Sequence, residues 1–167
     1  IYWPTGNPSP SNYGGERKGD NLYSNSMLAL DADTGKLRWH YQFTPHDLYD
    51  YDATQIPVLI DTEWEGRPRK LLVQANRNGF LYVLDRTNGQ FLSAKAFGNV
   101  TWANGIAPDG KPIVNSEAIP DATGTTNLAI REGRRPQRNR AVVLRCLFGR
   151  TRTHVDQRRH LRNPARR

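Results

Sequence analysis

The 167-residue chain contains one cysteine, Cys146, and one methionine, Met27. A lone cysteine excludes an internal disulfide framework and excludes haem attachment through Cys-x-x-Cys-His within this stretch. No apolar run approaches the roughly 20 residues that span a bilayer. No signal-like apolar segment opens the chain, which starts at Ile1. Positive charge is scarce before residue 125, where 11 Lys and Arg stand against 14 Asp and Glu. Beyond it lysine is missing altogether, and 13 Arg face only Glu132 and Asp156. The formal net charge of +8 therefore belongs to residues 125–167 alone.

That basic tail has two readings. An arm for nucleic acid would mix lysine with arginine and interleave aromatics for base stacking, yet Phe148 is its sole aromatic ring. Arginine has many GC-rich codons, so a shifted reading frame in a GC-rich gene accounts for the composition more simply. Residues 125–167 are accordingly expected to be disordered and without evolved function, and no nucleic-acid partner is expected.

What is present before the tail is β-structure. Ser26–Tyr41 reads as strand, tight turn, strand around Asp31-Ala32-Asp33-Thr34-Gly35, and Gly79–Leu92 repeats the plan around Asp85-Arg86-Thr87-Asn88-Gly89. Leu30-Asp31 aligns with Leu84-Asp85 and Gly35 with Gly89, at one common offset. Lys70–Ala75 forms a further strand, and Ile56–Ile60 another, whose Pro57 favours a sheet edge or an irregular start. Hairpin repeats near 50 residues mark a propeller blade array. Two blades cannot close a core by themselves, so residues 1–124 are expected to be an internal piece of a larger all-β protein.

The chemistry-bearing residues fall in three short stretches: Gly6-Asn7-Pro8, Asp50-Tyr51-Asp52 and Asn76-Arg77-Asn78-Gly79. An amide and two carboxylates suit a hard cation, and a planar guanidinium fork suits carbonyl or carboxylate oxygens. Simpler readings exist for each. Asn7 before proline serves as a turn residue, Arg77 as a loop cation, and Asp50 and Asp52 as a solvated acidic loop. If that loop is extended, alternation puts both carboxylates on one face. His40 and His46 lack a second ligand at metal spacing and read as structural. Trp39 and Trp102 are expected between blades, and Asp31, Asp33, Asp85, Gly35 and Gly89 in blade turns.

Trp3–Pro8, Gly19–Tyr23, Leu28–Lys36, Thr44–Asp52, Asn78–Arg86, Trp102-Ala103 and Gly110–Asn115 occur in an order and spacing that resembles the pyrroloquinoline-quinone (PQQ)-dependent alcohol dehydrogenases. These are the quinoprotein methanol and ethanol dehydrogenases and their quinohaemoprotein relatives. The resemblance implies an eight-bladed propeller of which this chain supplies about two blades. It further implies PQQ and Ca2+ or a lanthanide ion as cofactors, Asp50 as catalytic base, Arg77 against the quinone, and Asn7, Asp50 and Asp52 as metal ligands. Asp52 matches the extra aspartate associated with lanthanide enzymes. Ala53-Thr54-Gln55 departs from the Gly-Val-Asn run of methanol-type enzymes toward the quinohaemoprotein side.

The same resemblance implies a small alcohol substrate, a cytochrome c-type electron acceptor and a periplasmic location. It places a metal-ligating glutamate, a stacking tryptophan and an adjacent-cysteine ring upstream of this chain, so the chain alone is expected to be inactive. The competing reading is a non-catalytic propeller scaffold of the bacterial envelope, which would have no reason to keep Asn7, Asp50 and Arg77 together.

Overall fold

A computed structural model describes residues 1–11 and 14–121. The expectations for the 124/125 boundary and for the arginine-rich tail lie outside these residues. Nine antiparallel strands form three sheets among them. The first sheet has the order β1 (Tyr2–Pro4), β2 (Ser26–Leu30), β3 (Leu37–Gln42). The second is a four-stranded meander of β4 (Val58–Trp64), β5 (Arg67–Ala75), β6 (Phe80–Asp85) and β7 (Gln90–Ala96). A third sheet pairs β8 (Ala103–Ile106) with β9 (Pro112–Val114), followed by a 3-10 turn at Ser116–Ala118. Among the described residues no helix is long and apolar enough to cross a membrane.

Every residue of β6 is buried, as a continuous Phe-Leu-Tyr-Val-Leu run requires when both faces of a strand are covered. Its two faces feed separate clusters. Phe80, Tyr82 and Leu84 join Leu72, Met27, Phe43 and Trp102 in the core between sheets. Leu81 and Val83 pack with Leu71 and Val73 on the other side. β4 takes the edge, as Pro57 just ahead of it leads one to expect. The β4–β5 hairpin was not legible beforehand. Glu65 and Gly66 both have positive φ, 51° and 74°, the requirement of a two-residue primed turn that suits the strand twist.

The repeat is a structural repeat. Asp31 Oδ1 accepts from Thr34 N at 3.0 Å and Thr34 Oγ1 at 2.8 Å, and Gly35 N donates to Asp31 O at 2.9 Å. One blade later Asp85 Oδ1 accepts from Thr87 N and Thr87 Oγ1, and Gly89 N donates to Asp85 O at 2.8 Å. Each aspartate also holds an arginine, Arg38 at 2.6 Å on Asp31 and Arg69 at 2.7 Å on Asp85. These residues build turns, as expected of them.

Trp39 docks the first sheet onto the second. Its Nε1 donates to Arg86 O at 3.2 Å, the carbonyl that Tyr2 Oη also reaches at 3.0 Å. Its ring lies so close to Gly89 that a Cβ there would fall 2.7 Å from Trp39 Cε3. Gly35 has a similar positive φ, 68° against 77°, but open space around it. This pair separates backbone strain from inter-sheet packing. Both Gly→Ala changes incur the left-handed cost of about 1–2 kcal/mol. Gly89→Ala is expected to lose a further 1–3 kcal/mol or so through overpacking against Trp39. Urea unfolding of the two variants checks this; equal losses would show that Trp39 yields freely.

Candidate functional site

The three stretches singled out in the sequence meet at one end of the first two sheets. Arg77 sits at the tip of the β5–β6 turn and is held there by its neighbours. Asn76 N donates to Phe80 O at 2.9 Å, Gly79 N donates to Asn76 O at 3.0 Å, and Asn76 Oδ1 accepts from Asn78 N at 3.1 Å. Asn76 and Asn78 are both buried, so the turn is anchored by amides on either side while Arg77 projects outward with half its side chain exposed. The Asn78 amide nitrogen lies within hydrogen-bond reach of Phe43 O (3.3 Å), Thr44 Oγ1 (3.1 Å) and Tyr82 Oη (2.9 Å). Its backbone carbonyl accepts from Trp102 Nε1 at 2.7 Å.

Opposite Arg77 stands the loop 47–52. It is not extended, so alternation does not explain how its carboxylates meet. Asp50 adopts a left-handed conformation (φ 61°) that aspartate tolerates better than most residues. Asp52 is fixed on both oxygens: Oδ1 accepts Asn7 N at 3.0 Å and Oδ2 accepts Arg77 Nη1 at 3.1 Å. Asp50 Oδ2 lies 3.9 Å from Arg77 Nη2, close enough for attraction but beyond a hydrogen bond. The structure thus brings Asp50, Asp52 and Arg77 into one cluster and ties Asn7 to it through its backbone. Neither carboxylate is buried, with 44% of the Asp50 side chain and 34% of the Asp52 side chain exposed, so the cluster is open to solvent and to a ligand.

Several residues at this site carry signals that sequence reasoning passed over. Gly6 is needed for room, since a Cβ there would stand 2.8 Å from Asp52 Oδ1 and push it off the Asn7 amide. Gln55 staples the two loops. Its Nε2 donates to Asp52 O at 3.0 Å and its Oε1 accepts Arg77 N at 3.4 Å. Asp47 is fully buried and accepts two backbone amides of the loop. Spacing offered a clue only for Asp47, whose bond to the amide two positions on is that of an Asx-type turn, while the one four positions on reaches beyond it.

An aromatic cluster underlies the loop. Tyr49 and Tyr51 rings lie 5.3 Å apart, and each lies 5.6 Å from Trp102. Trp102 is buried between sheets, as expected, and Trp39, partly buried, packs on the seam between the first sheet and the second. His46 holds Gly19 O through Nδ1 at 2.8 Å and His40 packs edge-on to Tyr23, so both are structural.

The donor set fits a hard cation. Asn7, Asp50 and Asp52 offer oxygen only, carboxylate oxygens keep lone pairs after one hydrogen bond, and the arginine fork alongside suits carbonyl oxygens. Among the described residues no group of three or more His, Cys, Asp and Glu side chains assembles, and Asn7 meets the carboxylate pair at Asp52, through its backbone N–H.

The PQQ family model, described as the glucose/ethanol/alcohol dehydrogenase β-propeller domain, matches residues 1–94. The quinohemoprotein alcohol dehydrogenase of Comamonas testosteroni is 52% identical over 115 residues, covering 68% of this chain and 16% of the relative. A crystal structure of the enzyme of that name and organism matches with a TM-score of 0.70 at 50% identity, over 72% of this chain and 18% of that one. The 1-butanol dehydrogenase (cytochrome c) of Thauera butanivorans is 52% identical over 99 residues, 59% of this chain and 14% of the relative. A europium-containing methanol dehydrogenase matches at a TM-score of 0.67 and 42% identity, over 70% of this chain and 20% of that chain. The chain belongs to the PQQ-dependent β-propeller dehydrogenase family. It spans less than about a fifth of the length of the curated relatives named here.

Burial, reinforced by the neighbouring Tyr51 and Asp47, pushes the Tyr49 phenol up to about 12. A raised folded-state value means the unfolded chain releases its proton first. Stability from Tyr49 is therefore whole below the ordinary tyrosine value near 10 and is lost as pH rises toward about 12. Tyr49→Phe is expected to soften the alkaline fall in urea midpoint, leaving the shares of Tyr41, Tyr51 and Tyr82, which are also raised chiefly by burial. At neutral pH it should raise stability by about 1–3 kcal/mol, because among the described residues the buried Tyr49 Oη has no hydrogen-bond partner and its removal relieves an unpaired buried group.

Proposed function

We propose that this chain furnishes one side of the quinone–metal site of a PQQ-dependent alcohol dehydrogenase. The observation that carries the reading is the convergence of Arg77 on both Asp50 and Asp52, at 3.9 and 3.1 Å, from a loop two strands away in the fold. A scaffold has no need to hold an open carboxylate pair against an arginine.

The two carboxylates differ in a way that supports giving them different work. Asp52 has both oxygens engaged and is the fixed ligand, held by Asn7 N and Arg77. Asp50 has only the long contact to Arg77 and keeps lone pairs free to accept a proton. It therefore takes the hydroxyl proton of a small alcohol while Asn7, Asp50 and Asp52 contribute oxygens to Ca2+ or a lanthanide ion. When bound, PQQ supplies the acceptor for the hydride leaving the alcohol carbon, and the cation polarises its carbonyl. Arg77 presents its fork to the quinone oxygens and restrains both carboxylates at once. Asp52 as an added anionic oxygen donor weighs toward a trivalent ion, a reading supported by the europium-containing relative.

Three oxygen donors fall short of the six to eight or so that a calcium-like ion takes, so the remaining ligands come from elsewhere in the intact enzyme. The chain by itself is inactive on this reading. A periplasmic setting and a cytochrome c-type electron acceptor complete it, the latter in line with the name of the Thauera relative.

In the intact dehydrogenase that contains this segment, Asp50→Asn is expected to abolish dye-linked alcohol oxidation while quinone absorbance in the purified protein stays. Unchanged turnover would sink the base assignment. Asp52→Ala is expected to remove the activity gained with a lanthanide and to lower the activity with Ca2+ much less. Reconstitution of the metal-free protein with each ion reads this directly, and a variant that still responds to lanthanide alone overturns the role of Asp52.

A further inference from the structure

We propose that Asp47 is a positioning residue: a buried carboxylate that determines where Asp50 and Asp52 point without itself reaching substrate, quinone or metal. Asp47 is fully buried. Its Oδ1 accepts Tyr49 N at 2.9 Å and its Oδ2 accepts Tyr51 N at 2.8 Å. Those two amides stand on either side of Asp50 in the chain, so the peptide unit 48–49 before it and the unit 50–51 directly after it are pinned to one side chain. Pinning at both flanks holds Asp50 at φ 61°, a conformation that a free loop of L-residues abandons.

Asp47 is itself anchored on the upstream side. Its backbone carbonyl accepts Arg17 Nη2 at 2.8 Å. His46, also left-handed at φ 47°, is fixed by Asp20 O through its backbone amide (3.1 Å) and by Gly19 O through Nδ1 (2.8 Å). Gly14 packs where a Cβ would stand 2.4 Å from both His46 Nε2 and Leu48 Cδ2. The loop therefore has a rigid root, a carboxylate clamp and an exposed tip. A buried carboxylate is costly unless its oxygens are bonded, and here both are. Among side chains of this length only aspartate offers two acceptor oxygens; asparagine offers one, and glutamate moves both by a methylene.

The effect on the ion rests on the metal reading above; the effect on the loop does not. In the intact dehydrogenase that contains this segment, Asp47→Asn keeps the volume and one acceptor. It is expected to speed hydrogen exchange at one of the Tyr49 and Tyr51 amides by about tenfold, the loss of one hydrogen bond, while the other stays protected. Asp47→Ala should expose both amides and erase the NMR coupling of Asp50 characteristic of positive φ. Terbium luminescence titration should show Asp47→Ala binding about 10- to 100-fold more weakly, the usual cost of losing an outer-shell partner. Asp50→Asn, the control, should weaken terbium binding with the Tyr49 and Tyr51 amides still protected. Unchanged exchange and coupling in both Asp47 variants would overturn the proposal, as would full terbium affinity in a variant whose loop has come free. A wild-type dehydrogenase that binds no terbium overturns the metal reading instead, and the exchange and coupling data then decide on Asp47 alone.

Discussion

One buried amide joins the three sheets. Asn78 reaches Phe43 O and Thr44 Oγ1 at the end of the first sheet, Tyr82 Oη within the second, and, through its own carbonyl, Trp102 Nε1 at the entry to the third. A polar group with that many partners replaces what would otherwise be unpaired donors and acceptors in the driest part of the seam, each costing about 1–3 kcal/mol. It also sits one residue after Arg77. The bonds that close the inter-sheet core are thus the bonds that aim the guanidinium, and neither can loosen without the other.

That coupling explains why an exposed cluster is geometrically defined. Arg77 and the two carboxylates are each a third or more exposed, and exposed ion pairs contribute little to stability on their own. Their placement is set from below instead. Asn76 and Asn78 hold the β5–β6 turn, Asp47 clamps the opposing loop, Gln55 links the two, and Gly6 leaves room for Asp52 against the Asn7 amide. The aromatic trio of Tyr49, Tyr51 and Trp102 forms the floor on which the loop rests. Rigid support with an open face is what a ligand site needs, and it separates this cluster from a surface ion pair.

Much of this was legible in the sequence, for reasons that differ by residue. The β6 run and the two Asp-x-x-Thr or Asp-x-Thr turns are local patterns, and local patterns carry their own strand and turn chemistry. The edge position of β4 followed from Pro57. Asn7, Asp50, Asp52 and Arg77 were readable as a set because their types suit one ligand class, and the fold does gather Asp50, Asp52 and Arg77 while tying Asn7 in by its backbone. What stayed hidden depends on contacts across long stretches of chain. Asn78 finds Phe43 from 35 residues away, and Gly6 meets Asp52 only once the segments after β1 and β3 have come together. The left-handed turn at Asp50 was also unreadable, because aspartate permits that conformation without demanding it, and the demand comes from Asp47.

The arrangement also bears on why the two aspartates, two residues apart, are not interchangeable. Had the loop been extended, both would have faced Arg77 from equivalent positions and shared its charge. The left-handed step at Asp50 breaks that equivalence: Asp52 closes onto Arg77 at 3.1 Å and onto Asn7 at 3.0 Å, while Asp50 is held off at 3.9 Å. One carboxylate becomes a fixed part of the frame and the other keeps its lone pairs free. A single backbone torsion, enforced by a buried carboxylate three residues earlier, converts a symmetric acidic pair into two groups with different chemistry.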